Sequence, residues 1–269
     1  MLTLNKNFWT GGAAGSVADE NTVFLMNFNS TPFVDESSNE YALTSYDDAD
    51  TAQDTTDTMF SSAGSYEGPS SASDDQALQN IGQGDYIGYF ADKTDPFTVE
   101  LFWRQTATIV GLVVSGGYTG ERTWQLSTYR SSSTSAIRWY WYNTSNTVHS
   151  LNASPWNDDG TARVSIVSGE WYYVCIRHDG TNQQVFADKA SKSTARLIAE
   201  RTVDSLSGEM DQNDRLVIGA LPYSNSNMSD LRYPILGNID SLRISDIARY
   251  TVDTSGSIDS IPMPTAELS

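Results

Sequence analysis

The sequence predicts an all-β chain folded as a single two-sheet antiparallel β-sandwich, a jelly roll. Three observations predict it. The first is apolar/polar alternation, most informative in Gly237 to Thr251 (GNIDSLRISDIARYT). There Ile239, Leu242 and Ile244 alternate with polar neighbours, and the irregular step at Ser241-Leu242 predicts a small bulge. The second is an abundance of Gly, Ser, Thr, Asn and Asp, which suits many turns between short strands. The third is the scarcity of a 3.6-residue period. Its best stretch, Thr194 to Val203, fits a strand equally well through its β-branched and aliphatic residues. A chain of 269 residues is ordinary for one large sandwich. It can bury roughly 75 % of its unfolded surface and needs no staples. With one cysteine, Cys175, no intrachain bridge can form.

Taken in order, residues 1–18 read as an arm, in which Phe8 and Trp9 precede a flexible Gly/Ala run. An exposed Phe-Trp pair is costly, so it docks on its own chain or on a neighbour. Residues 19–254 form the sandwich domain. Thr22 to Asn29 is apolar enough to be buried on both faces. Ser45 to Asp75 is polar and reads as long surface loops with one short strand near Phe60. Strands follow at Asp85 to Phe90 and Phe97 to Arg104. The latter places Phe97, Val99, Leu101 and Trp103 on one face and Thr98, Glu100, Phe102 and Arg104 on the other. Further strands are expected at Ile109 to Ser115, Thr123 to Tyr129, Ala136 to Tyr142 and Ala162 to Val167. Trp171 to Arg177 should reach a hairpin at His178-Asp179-Gly180-Thr181, since Asp-Gly suits the positive φ of a tight turn. Gln184 to Ala187 returns, and Arg215 to Gly219 precedes the closing strand. Residues 255–269, with Pro262 and Pro264, read as an extended C-terminal tail.

Three of these segments resemble laminin-G-like domains of the concanavalin A-like lectin/glucanase superfamily. They are GEWYYVCIRHDGT (Gly169 to Thr181), RLVIG (Arg215 to Gly219) and the closing IDSLRISDIARYT. The family's second glycine turn is replaced here by Ala187-Asp188-Lys189. The resemblance covers roughly Asp19 to Tyr250. It implies the concanavalin A-like fold and leaves function open, since that fold hosts lectins, glycosidases and structural modules. The closing string also resembles those of bacteriophage structural proteins.

Formal net charge is -18, from 34 acidic and 16 basic residues. Such a field repels phosphate backbones, so no nucleic-acid partner is expected, and neutral glycans are favoured over sulfated ones. No run approaches the ~18 apolar residues of a membrane span, so no membrane insertion is expected. The opening MLTLNKNFWTGG has no apolar core behind its early charge, unlike a signal peptide. A protein made in the host cytoplasm and released by lysis inside a virion accommodates this. Otherwise the domain type is extracellular.

Candidate chemistry is sparse. Retaining glycosidases of the superfamily carry Glu-x-Asp-x-x-Glu on one strand. Glu209-Met210-Asp211-Gln212-Asn213-Asp214 matches it imperfectly and reads as a loop. No catalytic residues are therefore expected, and the chain is read as not an enzyme. His178 falls in a hairpin turn, where exposure is the ordinary expectation, and Cys175 in an apolar strand. The superfamily often binds calcium in edge loops. Oxygen-rich candidates are Asp19 with Glu20 and Asn21, Asp47 with Asp48 and Asp50, Asn157 with Asp158 and Asp159, and Asp211 with Asn213 and Asp214. Each is also ordinary turn composition. In Arg138 to Tyr142, alternation puts Trp139 and Trp141 on one face and Tyr140 and Tyr142 on the other. One pair should enter the core, and the other is a candidate carbohydrate platform or protein contact. Phe8, Trp9, Ile258 and Ile261 are candidate assembly anchors. The leading expectation is a structural or adhesion module of a virus particle, on capsid or tail, binding copies of itself or other virion proteins. A stand-alone lectin and a glycoside hydrolase are the alternatives.

Overall fold

The computed structural model describes residues 19–46, 53–60, 64–69, 76–80, 94–106, 112–116, 124–131, 134–143, 147–202, 216–224, 227–232 and 234–268. The strands, in chain order, are β1 (Thr22–Met26), β2 (Thr44–Tyr46), β3 (Gln53–Asp54), β4 (Ser65–Glu67), β5 (Ala77–Asn80), β6 (Phe97–Gln105), β7 (Leu112–Gly116), β8 (Trp124–Ser131) and β9 (Thr134–Tyr142). They continue with β10 (Val148–Ala153), β11 (Trp171–His178), β12 (Asn182–Lys189), β13 (Thr194–Thr202), β14 (Leu216–Ile218), β15 (Leu221–Ser224), β16 (Asn227–Arg232), β17 (Gly237–Ser245) and β18 (Ser260–Pro262). No helix occurs among the described residues.

Two antiparallel sheets make the sandwich. One runs β18-β13-β12-β11-β6-β17-β4-β3, with β1 also on β17; the other runs β10-β9-β8-β7-β14-β5-β2. Alternation along each strand sends one side chain in two between the sheets. The core there includes Phe97, Val99, Leu101 and Trp103 of β6, Trp124 of β8, Trp139 and Trp141 of β9, and Ile239, Leu242 and Ile244 of β17. The bulge falls where the alternation breaks. The β17–β6 register slips between Asp240 and Arg243, and Ser241 has φ 50°. At Gly237 (φ 145°) an added Cβ would lie 1.9 Å from the Arg104 carbonyl, so only glycine fits this close crossing.

Some expectations are corrected. β1 ends at Met26, because Phe28 turns left-handed (φ 57°) and packs edge-on against Phe33 at 5.2 Å. Ala162 to Val167 is not a strand: only Arg163 forms a bridge, to Trp156, and only Ile166 of the segment is buried. The segment is instead tied to the preceding loop, as Val164 N donates to the Pro155 carbonyl at 2.9 Å. His178 is buried rather than exposed, because the strand runs one residue further and its ring stacks on Phe97 at 5.2 Å. The expected strand Asp85 to Phe90 lies outside the described residues.

The tail is the largest correction. Residues Ser260–Pro262 are β18 and pair with Thr194–Arg196 of β13. Ile261, Met263 and Leu268 are buried in a second core with Leu25, Phe102, Tyr173, Cys175, Phe186 and Ala195, on the outer side of the larger sheet. β6 is thus covered on both faces. Ile261, expected as an assembly anchor, is spent on its own chain, and Ile258 is half-buried with its side chain near Gly160.

Candidate functional site

The aromatic strand β9 resolves its own ambiguity. Trp139 and Trp141 are fully buried, with Trp139 stacked on Trp124 at 5.3 Å and Trp141 against His149 at 4.9 Å. They cannot form a sugar platform, because the opposite sheet covers that face. Tyr140 points outward, as the period of two requires. Tyr142 shares its face by register, and its side chain is outside the described set.

Around Tyr140 the pairing builds two polar rows across the outer face. One is Gln125–Tyr140–Ser150 and the other Ser127–Arg138–Asn152. The Arg138 guanidinium sits over the Tyr140 ring, 4.7 Å from its centre, and its Nε donates to Asn152 Oδ1 at 3.0 Å. Asn152 Nδ2 donates to Ser150 Oγ at 3.3 Å. The Gln125 side-chain nitrogen is buried without a hydrogen-bond partner among the described residues. The patch therefore offers one half-exposed ring, a held guanidinium, the Asn152 amide and the Ser150 hydroxyl, with Gln125 and Ser127 buried beside them. That is the equipment for stacking on a sugar and reading its hydroxyl groups.

The described acidic candidates are engaged elsewhere. Asp19 accepts from Arg249 through both oxygens, at 2.6 and 2.7 Å, which holds its carboxyl far below the usual range. Asp158 pairs with Lys192 at 3.0 Å, and Asp159 accepts from the Thr161 hydroxyl and amide. Each of these three carboxylates has a partner of its own, and no cluster of three or more His, Cys, Asp or Glu side chains is placed to hold a metal among the described residues. Asp47, Asp48, Glu209, Asp211, Asp214, Phe8 and Trp9 lie outside the described residues.

A buried polar network was not legible in sequence. Glu100, on the outer side of β6, accepts from Arg243 Nε at 2.9 Å and Nη2 at 2.7 Å, from the Tyr250 hydroxyl at 2.7 Å and from the Tyr173 hydroxyl. Burial pushes the Tyr173, Tyr250 and Cys175 protons toward retention, so Cys175 is no nucleophile. Every group in the network has a partner, and the tail closes over it, leaving a cleft of about 300 Å³ between Tyr250 and Met263 to Leu268. The only sequence signal was Glu100 amid apolar residues. Deeper along β17, Asp240 accepts from Met59 N at 2.9 Å, and burial pushes its carboxyl up to about 7.

Among known proteins, no family model and no curated sequence matches the chain. Solved structures match in shape. The binding domain of Paraclostridial Mosquitocidal Protein 1 superposes with a TM-score of 0.57 at 15% identity, over 85% of this chain and 49% of that one. The botulinum neurotoxin serotype D binding domain gives 0.55 at 10% identity, over 85% and 49%. Domains LG4-5 of the mouse laminin alpha1 chain align more loosely, at 0.40 and 14% identity over 65% and 40%. This chain spans about half the length of the two toxin domains. At such identities the likeness is one of fold alone: an antiparallel β-sandwich.

Proposed function

We propose that this chain is a non-enzymatic recognition module of a virus particle, on capsid or tail, that binds neutral surface glycans. One observation carries the glycan part: the half-exposed Tyr140 ring on the smaller sheet, with the Arg138 guanidinium over it and Ser150 and Asn152 beside it. A net charge of -18 favours neutral over sulfated or phosphorylated sugars. The fold supports the module reading, since the two toxin domains of similar shape are binding domains by name. The particle part rests on the resemblance of Ile239 to Thr251 to bacteriophage structural proteins.

The test is an array of neutral and acidic glycans, followed by calorimetry. Binding of a neutral glycan that Tyr140→Ala abolishes, with the melting temperature kept, supports the site. Binding unaffected by Tyr140→Ala, or confined to acidic glycans, overturns it. Mass spectrometry of purified particles tests the location: presence in the particle supports a virion module, and absence favours the stand-alone lectin. Glucan cleavage lost in Glu209→Gln would favour the glycosidase reading instead.

A further inference from the structure

Three buried polar side chains, Asp240, Ser241 and Asn27, join the bulge of β17 to the C-terminal segment. Ser241 Oγ lies 3.2 Å from Asp240 Oδ1 and 3.0 Å from Asn27 Oδ1. The other end of Asn27 fixes its orientation. Its Nδ2 donates to Glu36 Oε2 at 3.1 Å and to the Leu268 carbonyl at 3.4 Å. Next to Leu268, Glu267 Oε2 accepts from Asn29 Nδ2 at 3.0 Å. Glu267 and Leu268 in turn line the cleft together with Arg243 and Tyr250.

One proton has to serve two acceptors here. A serine hydroxyl carries a single proton. When Asp240 is ionised, both oxygens flanking Ser241 Oγ are acceptors. If the proton goes to the carboxylate, Asn27 Oδ1 loses its donor at a site closed to water. If it goes to Asn27, the carboxylate loses that donor instead. A proton on Asp240 Oδ1 removes the conflict. Asp240 then donates to Ser241, Ser241 to Asn27, and Asn27 to Leu268 and Glu36. Asp240 Oδ2 keeps the Met59 amide, at 2.9 Å. Every bond in the run then points toward the C-terminal segment, and bonds aligned in this way reinforce one another.

The surroundings of Asp240 favour that proton. Burial pushes its carboxyl up to about 7, Glu267 adds to the push, and the Met59, Ser241 and Phe60 donors oppose it. The other charges nearby are engaged. Glu36 reaches the site only through Asn27. Arg243, farther along β17, is paired with Glu100 of β6, and Arg104 of β6 with Asp57, just before Met59. Asp54 of β3 accepts from Asn238 at 3.4 Å.

We infer that the Asp240–Ser241–Asn27 relay is a proton-operated latch: with Asp240 protonated it holds Glu267 and Leu268 against the cleft beside Arg243, and loss of that proton lets them swing out. The closed segment prefers the protonated acid, so its hold is full at low pH, weakens as pH rises and levels above about 7. The latch is independent of the glycan reading, because it lies on the larger sheet and leaves the Tyr140 face untouched.

The experiment is fluorescence anisotropy of the full chain carrying a pH-insensitive dye at Ala266→Cys. Ala266 is exposed, whereas the native Cys175 is buried and escapes labelling. The closing equilibrium should weaken at least about tenfold between about pH 5 and about pH 8, read as a step down in anisotropy. Near-UV circular dichroism should stay constant over the same range, because the opening is local. Asp240→Asn places a permanent donor beside Ser241, so its anisotropy should hold the low-pH value throughout. Should that variant fail to fold, Glu267→Gln replaces it. With one negative charge fewer facing Asp240, its step should be smaller and end at lower pH. Anisotropy that ignores pH, a step that Asp240→Asn retains or Glu267→Gln leaves unchanged, or a step that brings loss of the near-UV signal overturns the inference.

Discussion

Removing the C-terminal segment tests the second core. Deleting residues 258–269 exposes the partners of Ile261, Met263 and Leu268, which are 0%, 5% and 2% exposed in the native chain. Burying one such side chain contributes roughly 1.5–3 kcal/mol. Three of them approach the whole stability of a typical domain, about 5–15 kcal/mol. The deletion also opens Phe102, Tyr173 and Phe186, and the Glu100–Arg243 pair beneath them, to water. The truncated chain should therefore be unfolded, or barely folded, at room temperature. Ile261→Ala is the milder form. Its expected cost is about 2–5 kcal/mol, the range for emptying a buried aliphatic site. That cost has a ceiling, because the segment can detach once its docking energy is spent. Urea denaturation followed by far-UV circular dichroism reads both variants. A truncated chain with the native midpoint would refute the reasoning and return the tail to a free extension.

Other outcomes follow from single residues. Asp240 titrates near 7 when folded and near 3.8 in its ordinary state, so between these values the folded chain holds a proton that the unfolded chain releases. Stability should fall as pH rises from about 4 to 7 and then level, and Asp240→Asn should flatten that slope in pH-dependent urea melts. Trp139→Ala should cost about 3–5 kcal/mol as a core deletion, while Tyr140→Ala should shift the melting temperature little; the reverse ranking would invert the assignment of faces. Calcium should raise the melting temperature more than sodium chloride of equal ionic strength, and Asp158→Asn should leave that excess unchanged, since Asp158 is committed to Lys192. Equal shifts from the two salts would leave charge screening as the whole effect.

The sandwich was legible where alternation is clean. β6, β11 and β17 lie within a residue or two of the expected ranges at their starts, and the bulge sits at Ser241, where the pattern stumbles. Alternation paired Trp139 with Trp141 and Tyr140 with Tyr142, but pairing does not say which face meets the other sheet. That depends on a partner distant in sequence. Ala162 to Val167 shows the converse error: its apolar alternation is real, yet the loop from Pro155 captures the segment before it can join a sheet. The tail misled because its prolines signal extension, and extension is equally what an outermost strand requires. The Tyr140 patch needed the cross-strand register from β8 to β10, which no single segment encodes.

The place of Pro262 has a consequence for crowding. It is the last residue of β18, the outermost strand of the larger sheet, and lacks an amide hydrogen to offer a newcomer. Pro264 follows two residues later. An outer strand only three residues long, ending in proline, is a poor template for backbone pairing. Copies packed at high density are thereby discouraged from fusing sheet to sheet along this margin. Where they meet there, side chains must mediate the contact, and such contacts stay reversible in a way that merged sheets do not.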